Sequence, residues 1–162
     1  MQKILPFFWY DTQAEEAVNL YISLFPNSRI LNVLRYDKAS SEAAGMPEGS
    51  ILTIDFELDG QLFSALNGGP AFKFNESVSF MIECSTQEEI DHYWYGLIAN
   101  GGQESACGWL KDKFGLSWQV TPRQQNEMIH DKDFAKAGRA MRAMLGMKKL
   151  DIKVLEDAFN NG

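Results

Sequence analysis

The chain has 162 residues, an apolar fraction of 45% with 11 Phe, 5 Tyr and 4 Trp, and a formal net charge of −7. That length predicts one domain over 1–162, built either singly or as two small modules sharing a core, with apolar side chains to spare for lining a pocket. The acidic balance sets a phosphate-binding surface aside, and with it nucleic acid as a partner.

Ile4 to Tyr10 is short, apolar and aromatic, which predicts a buried strand. Asp11 follows at once and the run is brief, so neither a secretory leader nor a membrane span is expected. Thr12 and Glu15 have the spacing of a capping box, and Ala14, Ala17, Val18, Tyr21 and Phe25 recur at helical intervals up to Pro26-Asn27. Arg29 to Tyr36 reads as a strand. Residues 37–50, with Ser40, Ser41, Gly45, Pro47 and Gly49, read as a long loop, either a mobile connection or a lid carrying Lys38, Glu42, Met46 and Glu48. Ile51 to Leu58 and Gln61 to Leu66 are strands joined by Asp59-Gly60, the dipeptide of a tight hairpin. Asn67-Gly68-Gly69-Pro70 breaks the chain and opens a linker over about residues 68–76.

The order then repeats. Val78 to Cys84 predicts a strand, and Ser85 with Glu88, or Thr86 with Glu89, caps a helix whose inner face is Ile90, Tyr93, Trp94, Leu97 and Ile98. Asn100-Gly101-Gly102 stops it. Gln103 to Lys111 and Leu116 to Thr121 read as strands about a turn at Lys113-Phe114-Gly115. Past Pro122 the pattern changes to amphipathic helices, one through Phe134, Ala137, Met141 and Met144, one capped by Asp151. Asp11-Thr12-Gln13-Ala14-Glu15-Glu16 and Ser85-Thr86-Gln87-Glu88-Glu89 mark the same point in each copy. An internal repeat of this kind fixes architecture more firmly than a single motif. The expected fold is α+β: a first βαβββ module over 3–67, a second over 77–122, and a helical appendage over 131–160. Helices cover one face of each sheet, and the other faces are expected to meet around a cavity.

The chain resembles the vicinal oxygen chelate superfamily, which includes glyoxalase I, bleomycin-resistance proteins and extradiol dioxygenases, and within it the PhnB-like branch. The resemblance rests on Phe63-Ser64-Ala65-Leu66-Asn67-Gly68-Gly69-Pro70, Cys107-Gly108-Trp109-Leu110-Lys111-Asp112, Gly115-Leu116-Ser117-Trp118-Gln119-Val120-Thr121-Pro122 and the tail from Ala143 to Ile152. It implies the glyoxalase/bleomycin resistance/dioxygenase-like fold and a homodimer. Some members of the branch carry the label demethylubiquinone 3-methyltransferase. A methyltransferase of the common type binds its nucleotide cofactor at a Gly-rich turn between a strand and a helix. Gly68-Gly69 precedes Pro70 and Gly101-Gly102 follows a helix, so neither pair has that context.

The superfamily's enzymes hold a metal with His, Glu or Gln, two ligands from each module. Carried over by position, the four places read Lys3, Ser64, Ser77 and Gln119. None is an imidazole or a carboxylate, whereas a divalent cation ordinarily takes two or more such ligands. The expectation is therefore no metal and no other cofactor. Asn67 or Glu76 supplies a further oxygen donor for a divalent metal if the register is offset. His92 reads as an edge histidine in a helix and His130 as a loop histidine. No Ser-His-Asp or Cys-His pairing is indicated. Cys84 and Cys107 show no CxxC spacing and read as reduced thiols of a cytoplasmic protein.

Phe7, Phe8, Trp9 and Tyr10 on the first strand, with Trp109 and Trp118 on late strands, alternate between sheet faces, so about half face the cavity. The cavity candidates are Ser64, Ser77, Gln119, Lys3, Phe8, Trp109, Trp118 and Asn67. The basic run Lys136, Arg139, Arg142, Lys148, Lys149 and Lys153 reads as a solvated helix face complementing helix C-termini, with a partner-binding patch as the other reading. The expected function is binding of a small apolar or aromatic molecule without an ordinary metal centre. The alternatives are a metal-dependent lyase, isomerase or dioxygenase, and the methyltransferase of the label.

Overall fold

The computed structural model describes residues 2–161. The chain divides after Lys73 into two compact units. The first runs β1 (Phe7–Tyr10), α1 (Ala14–Leu24), β2 (Arg29–Arg35), α2 (Lys38–Ala44), β3 (Ile51–Leu58) and β4 (Gln61–Asn67). The second runs β5 (Ser79–Cys84), α3 (Gln87–Ile98), β6 (Gln103–Glu104), β7 (Trp109–Lys111) and β8 (Ser117–Pro122), followed by α4 (Arg123–Ile129), α5 (Phe134–Leu145) and α6 (Ile152–Asn160). Each unit contains one four-stranded sheet, ordered β1-β4-β3-β2 and β5-β8-β7-β6. In both, the first strand lies parallel to the last and the remaining pairs are antiparallel. This is the repeated βαβββ order, with α2 as an addition to the first copy. None of the described helices is long and apolar enough to cross a membrane.

Period-two alternation divides each sheet into two faces. In the first unit, Phe8, Tyr10, Ile54, Phe56, Phe63 and Ala65 are buried and share the face that meets Ala14, Ala17, Val18 and Tyr21 of α1. Phe56 and Phe63, opposite each other in the ladder, stack with centroids 5.5 Å apart, and Phe8 lies 5.7 Å from Phe63. Burying each such ring contributes about 1.5–3 kcal/mol. In the second unit, Ile82, Cys84, Leu110, Trp118 and Val120 are buried on the face that meets Ile90, Trp94 and Leu97 of α3. The outer strand β2 is different: all seven of its residues are exposed, including Ile30, Leu31, Val33 and Leu34.

Local chemistry departs from the sequence reading at four places. The Thr12 capping box does not form. Gln13 is the N-cap residue of α1 and gives no side-chain cap bond; instead Asn67, at the end of β4, accepts the Ala14 N–H on Oδ1 at 2.8 Å and donates Nδ2 to the Ile51 carbonyl at 3.1 Å. In the second copy the expected cap is present: Thr86 Oγ1 accepts the Glu89 N–H, and the Glu89 carboxylate accepts the Ser85 N–H.

The segment 37–50 is no plain loop. Asp37 Oδ1 accepts the Ser40 N–H at 2.8 Å while Ser40 Oγ accepts the Asp37 N–H at 3.0 Å, and this reciprocal cap starts α2. Gly45, at φ +68, ends it.

The strand expected over 103–111 is interrupted between β6 and β7. Cys107 and Gly108 stand at φ +58 and +82, and their N–H groups donate to the Met147 and Lys148 carbonyls at 2.8 Å each. Leu150 is buried against Gly108, where a Cβ would meet the Val120 carbonyl oxygen at 2.8 Å. The fourth departure is α4, which begins directly after Pro122.

The basic tail is largely paired. Arg139 donates Nε to the Ala158 carbonyl at 3.0 Å and Nη2 to that of Phe159 at 2.8 Å, closing the C-terminus of α6. Lys148 pairs with Glu104, Lys149 with Asp91, and Lys153 with Asp157. These contacts give Arg139, Lys148, Lys149 and Lys153 partners within the chain.

Candidate functional site

The faces turned away from α1 and α3 carry the polar groups not committed to the core. On the first sheet, Ser64 stands between Phe7 on β1 and Asp55 on β3, and its hydroxyl donates to Asp55 Oδ1. Ser64 is buried, while Phe7 is 57% exposed. Trp9 shares this face, opposite Leu66. Its indole Nε1 donates to the Gly69 carbonyl at 2.9 Å, and Phe72 meets its ring edge-on at 5.0 Å. Gly68 is required here, because a Cβ would lie 2.3 Å from the Trp9 ring.

On the second sheet, Gln119 of β8 is flanked by Met81 on β5 and Trp109 on β7. Its Nε2 donates to Ser79 Oγ at 2.9 Å. The adjacent cross-strand row is polar throughout: Ser79, Ser117, Lys111 and Gln103 face one another in turn along β5, β8, β7 and β6. A cavity of about 210 Å³ opens at its outer end, lined among others by Trp109, Ser117, Lys111, Glu76 and Gln103. Lys111 Nζ pairs with Glu76 at 2.7 Å, and Glu76 is held below the usual carboxylate range by that hydrogen bond.

A second cleft, of about 330 Å³, lies in the first unit beside the N-terminus of α1. Thr12, Glu15, Arg35, Met46 and Asn67 are among its walls. Met46, expected on a lid, lines this cleft just beyond α2.

Of the residues singled out from sequence, the structure brings Ser64, Gln119 and Trp109 to faces away from the helices. Two others are corrected. Phe8 and Trp118 lie on the helix-covered faces and are core: Phe8 packs in the Phe56–Phe63 cluster, and Trp118 is buried with Nε1 donating to Asp112 Oδ2 at 2.9 Å. Alternation fixes that neighbours point oppositely, but not which of them meets the helix. Asn67 is on the α1 side, where its side chain caps the helix and it also lines the 330 Å³ cleft.

Lys3 and Ser77 precede β1 and β5 and belong to no strand. The Ser77 hydroxyl donates to Asn75 Oδ1, so it serves its own turn. The residue that meets Gln119 is Ser79, two positions further on. Ser79, Asp55, Ser117 and Lys111 were not singled out from sequence. Counting in twos back from Gln119, and across the hairpins, would have found them.

As a metal site this donor set does not fit. Ser64, Ser77 and Gln119 are neutral and engaged with protein partners, and Lys3 brings positive charge. Among the described residues no three or more His, Cys, Asp or Glu side chains converge. His92 rests edge-on against Tyr93, and His130 ends α4 with Nδ1 in hydrogen-bond reach of the Asn126 carbonyl. Nor do the glycine pairs form a nucleotide-binding turn. Gly68-Gly69 follows β4 with no helix before β5, and a Cβ on Gly102 would strike the Ile98 backbone at 2.5 Å.

A sequence model of the 3-demethylubiquinone-9 3-methyltransferase family matches residues 2–121. Among solved structures, the chain is similar to a PhnB protein of Bacillus cereus, a proposed 3-demethylubiquinone-9 3-methyltransferase. The identity is 34%, the match covers 75% of this chain and 99% of that one, and the TM-score is 0.66. Protein PA1353 of Pseudomonas aeruginosa shares the fold, with a TM-score of 0.59 at 16% identity over 75% of this chain and 98% of that one. No curated protein matches the sequence. With a family match across most of its length, the chain belongs to the 3-demethylubiquinone-9 3-methyltransferase family and is PhnB-like, built as two copies of the βαβββ module.

Proposed function

We propose that this protein binds a small apolar or aromatic molecule on the face of the second sheet turned away from α3, as a homodimer and without a divalent metal held in the superfamily's manner. The observation that carries this reading is the setting of Gln119: a side-chain amide held by Ser79, with Trp109 on one side and Met81 on the other. Few polar groups fixed in position among apolar and aromatic side chains are the usual makeup of a small-molecule site. Apolar burial supplies the affinity at about 25 cal/mol per Å², and the amide orients one oxygen or nitrogen of the ligand. Methyl transfer is not part of the proposal, since both glycine pairs serve packing and chain reversal.

Native mass spectrometry of freshly purified, untagged protein tests it, together with elemental analysis. The expected result is a dimer retaining a small organic molecule, which Gln119→Ala loses or holds at least about tenfold more weakly. Near-stoichiometric zinc, nickel, iron or manganese that chelation removes would sink the metal-free reading. Saturable binding of S-adenosylmethionine in calorimetric titration would restore methyl transfer.

A further inference from the structure

In an Asn-Gly dipeptide the asparagine side chain lies open to attack by the next backbone nitrogen, because glycine has no Cβ to obstruct the approach. The dipeptide occurs three times here, at Asn67-Gly68, Asn100-Gly101 and Asn161-Gly162. Gly162 lies outside the described residues, so the structure compares the first two.

At Asn67-Gly68 every reacting atom is engaged. Asn67 Oδ1 accepts the Ala14 N–H, its Nδ2 donates to the Ile51 carbonyl, and the Gly68 N–H donates to the Tyr10 carbonyl at 2.9 Å. Asn67 is buried, and the Trp9 ring fills the space over Gly68. Asn100-Gly101 is the opposite case. It lies in the turn that follows α3, with Asn100 exposed at φ +57, a left-handed conformation that asparagine adopts readily. Neither the Asn100 side chain nor the Gly101 N–H has a hydrogen-bond partner among the described residues. A Cβ added at Gly101 would meet only Lys113 Cβ, at 3.8 Å, so the surrounding space is open.

We infer that Asn100 is a site of spontaneous deamidation in the folded protein, and that the fold protects Asn67. The Gly101 nitrogen gives its proton to hydroxide and attacks Asn100 Cγ. A C–N bond forms, the Cγ–Nδ2 bond breaks, and ammonia leaves. Water then opens the resulting succinimide at either carbonyl, giving aspartate or isoaspartate. Both products place a carboxylate just beyond the C-terminus of α3, at the negative end of the helix dipole, where it is unfavourable. Isoaspartate also lengthens the main chain inside the turn that Gly102 closes by donating its N–H to the Ile98 carbonyl at 3.0 Å. Conversion therefore loosens the end of α3.

Incubation of the full-length protein at mildly alkaline pH, with peptide mapping by mass spectrometry at intervals, tests the inference. In the native protein Asn100 is expected to convert at least about tenfold faster than Asn67, whose reaction waits on local opening. In urea the two rates are expected to converge, since both are then unprotected Asn-Gly. Asn100→Gly keeps the left-handed turn and removes the amide, so its urea midpoint should hold on ageing while that of the wild type falls. Native conversion of Asn67 as fast as that of Asn100 overturns the inference. So does an Asn100 that stays intact in native protein over a period in which the unfolded chain converts. Equal midpoints after ageing overturn the assigned effect on α3.

Discussion

Asn67 closes β4 and, from there, caps a helix that begins 53 residues earlier, accepting the Ala14 N–H on Oδ1 at 2.8 Å. The same side chain ties β4 to β3 through the Ile51 carbonyl. It therefore does in the first module what Thr86 does locally in the second, and adds a tertiary lock.

Replacing Asn67 by Ala is expected to destabilise the protein by about 1–3 kcal/mol, since it removes a helix cap and a second buried hydrogen bond. Thr12→Ala should be nearly silent, because Thr12 makes no cap. Urea denaturation midpoints of the two variants check the pair, and equal losses would contradict the assignment.

Gly68 lies under Trp9, with ring atoms 2.3–2.7 Å from where a Cβ would sit. Gly68→Ala must displace the indole and break its bond to the Gly69 carbonyl. The expected loss is about 1–3 kcal/mol, with a shift in tryptophan emission as the ring becomes wetter. Unaltered emission and stability would show that the backbone absorbs the methyl.

Lys149 donates to Asp91 and to Tyr95, joining the tail to α3. The Asp91 carboxyl is held below its ordinary 3.8 by the Lys149 hydrogen bond first and by Gln87 second. Burial acts to lower Lys149, but its hydrogen bonds to Asp91 and Tyr95 outweigh this and keep it above 10.5. A lowered acid stabilises the fold above about pH 3.8 and loses that contribution as pH falls further. A raised base stabilises it below pH 10.5 and loses that as pH rises past its folded value. Asp91→Asn should flatten both limbs while costing no more than about 1 kcal/mol near neutrality, because the pair is partly exposed. Stability against pH for wild type and variant reads the difference.

Burial first, and the nearby Glu89 charge second, push the Cys84 thiol up to about 12. Cys84 is fully buried, whereas Cys107 is half-buried. Iodoacetamide at mildly alkaline pH should therefore modify Cys107 and spare Cys84 until the protein unfolds. Peptide mapping by mass spectrometry checks it, and rapid native labelling of Cys84 would show that α3 opens readily.

Local signals were legible where one short segment carried its own reason. Asp59-Gly60 reads as a hairpin turn because both residues must take positive φ, and they do, at +44 and +79. The Asn67 cap was hidden because its partner is remote in sequence. Helix α2 was hidden because Ser40, Ser41 and Gly45 suggest a loop, and only the Asp37–Ser40 exchange of hydrogen bonds turns the segment into a helix. At the site, the sequence set Ser64 beside Phe8, whereas the ladder pairs Ser64 with Phe7 and Gln119 with Trp109. Alternation along β8 already sets Trp118 opposite its neighbour Gln119, while the side of Phe8 is decided by where α1 packs. Ser77 was displaced by Ser79 because the strand begins later than the apolar run.

The free outer edge of the first sheet has a consequence for handling the protein. β2 presents a row of backbone donors and acceptors beside Ile30, Leu31, Val33 and Leu34, a pattern that templates strand-to-strand aggregation between chains. Arg29 and Arg35 stand at its two ends as gatekeepers. Arg29 is paired with Glu57 at 3.1 Å and Arg35 donates to the Gly49 carbonyl at 3.0 Å, so they guard the edge by bulk and hydration, and a chain carrying apolar residues at these two positions would be the first to precipitate.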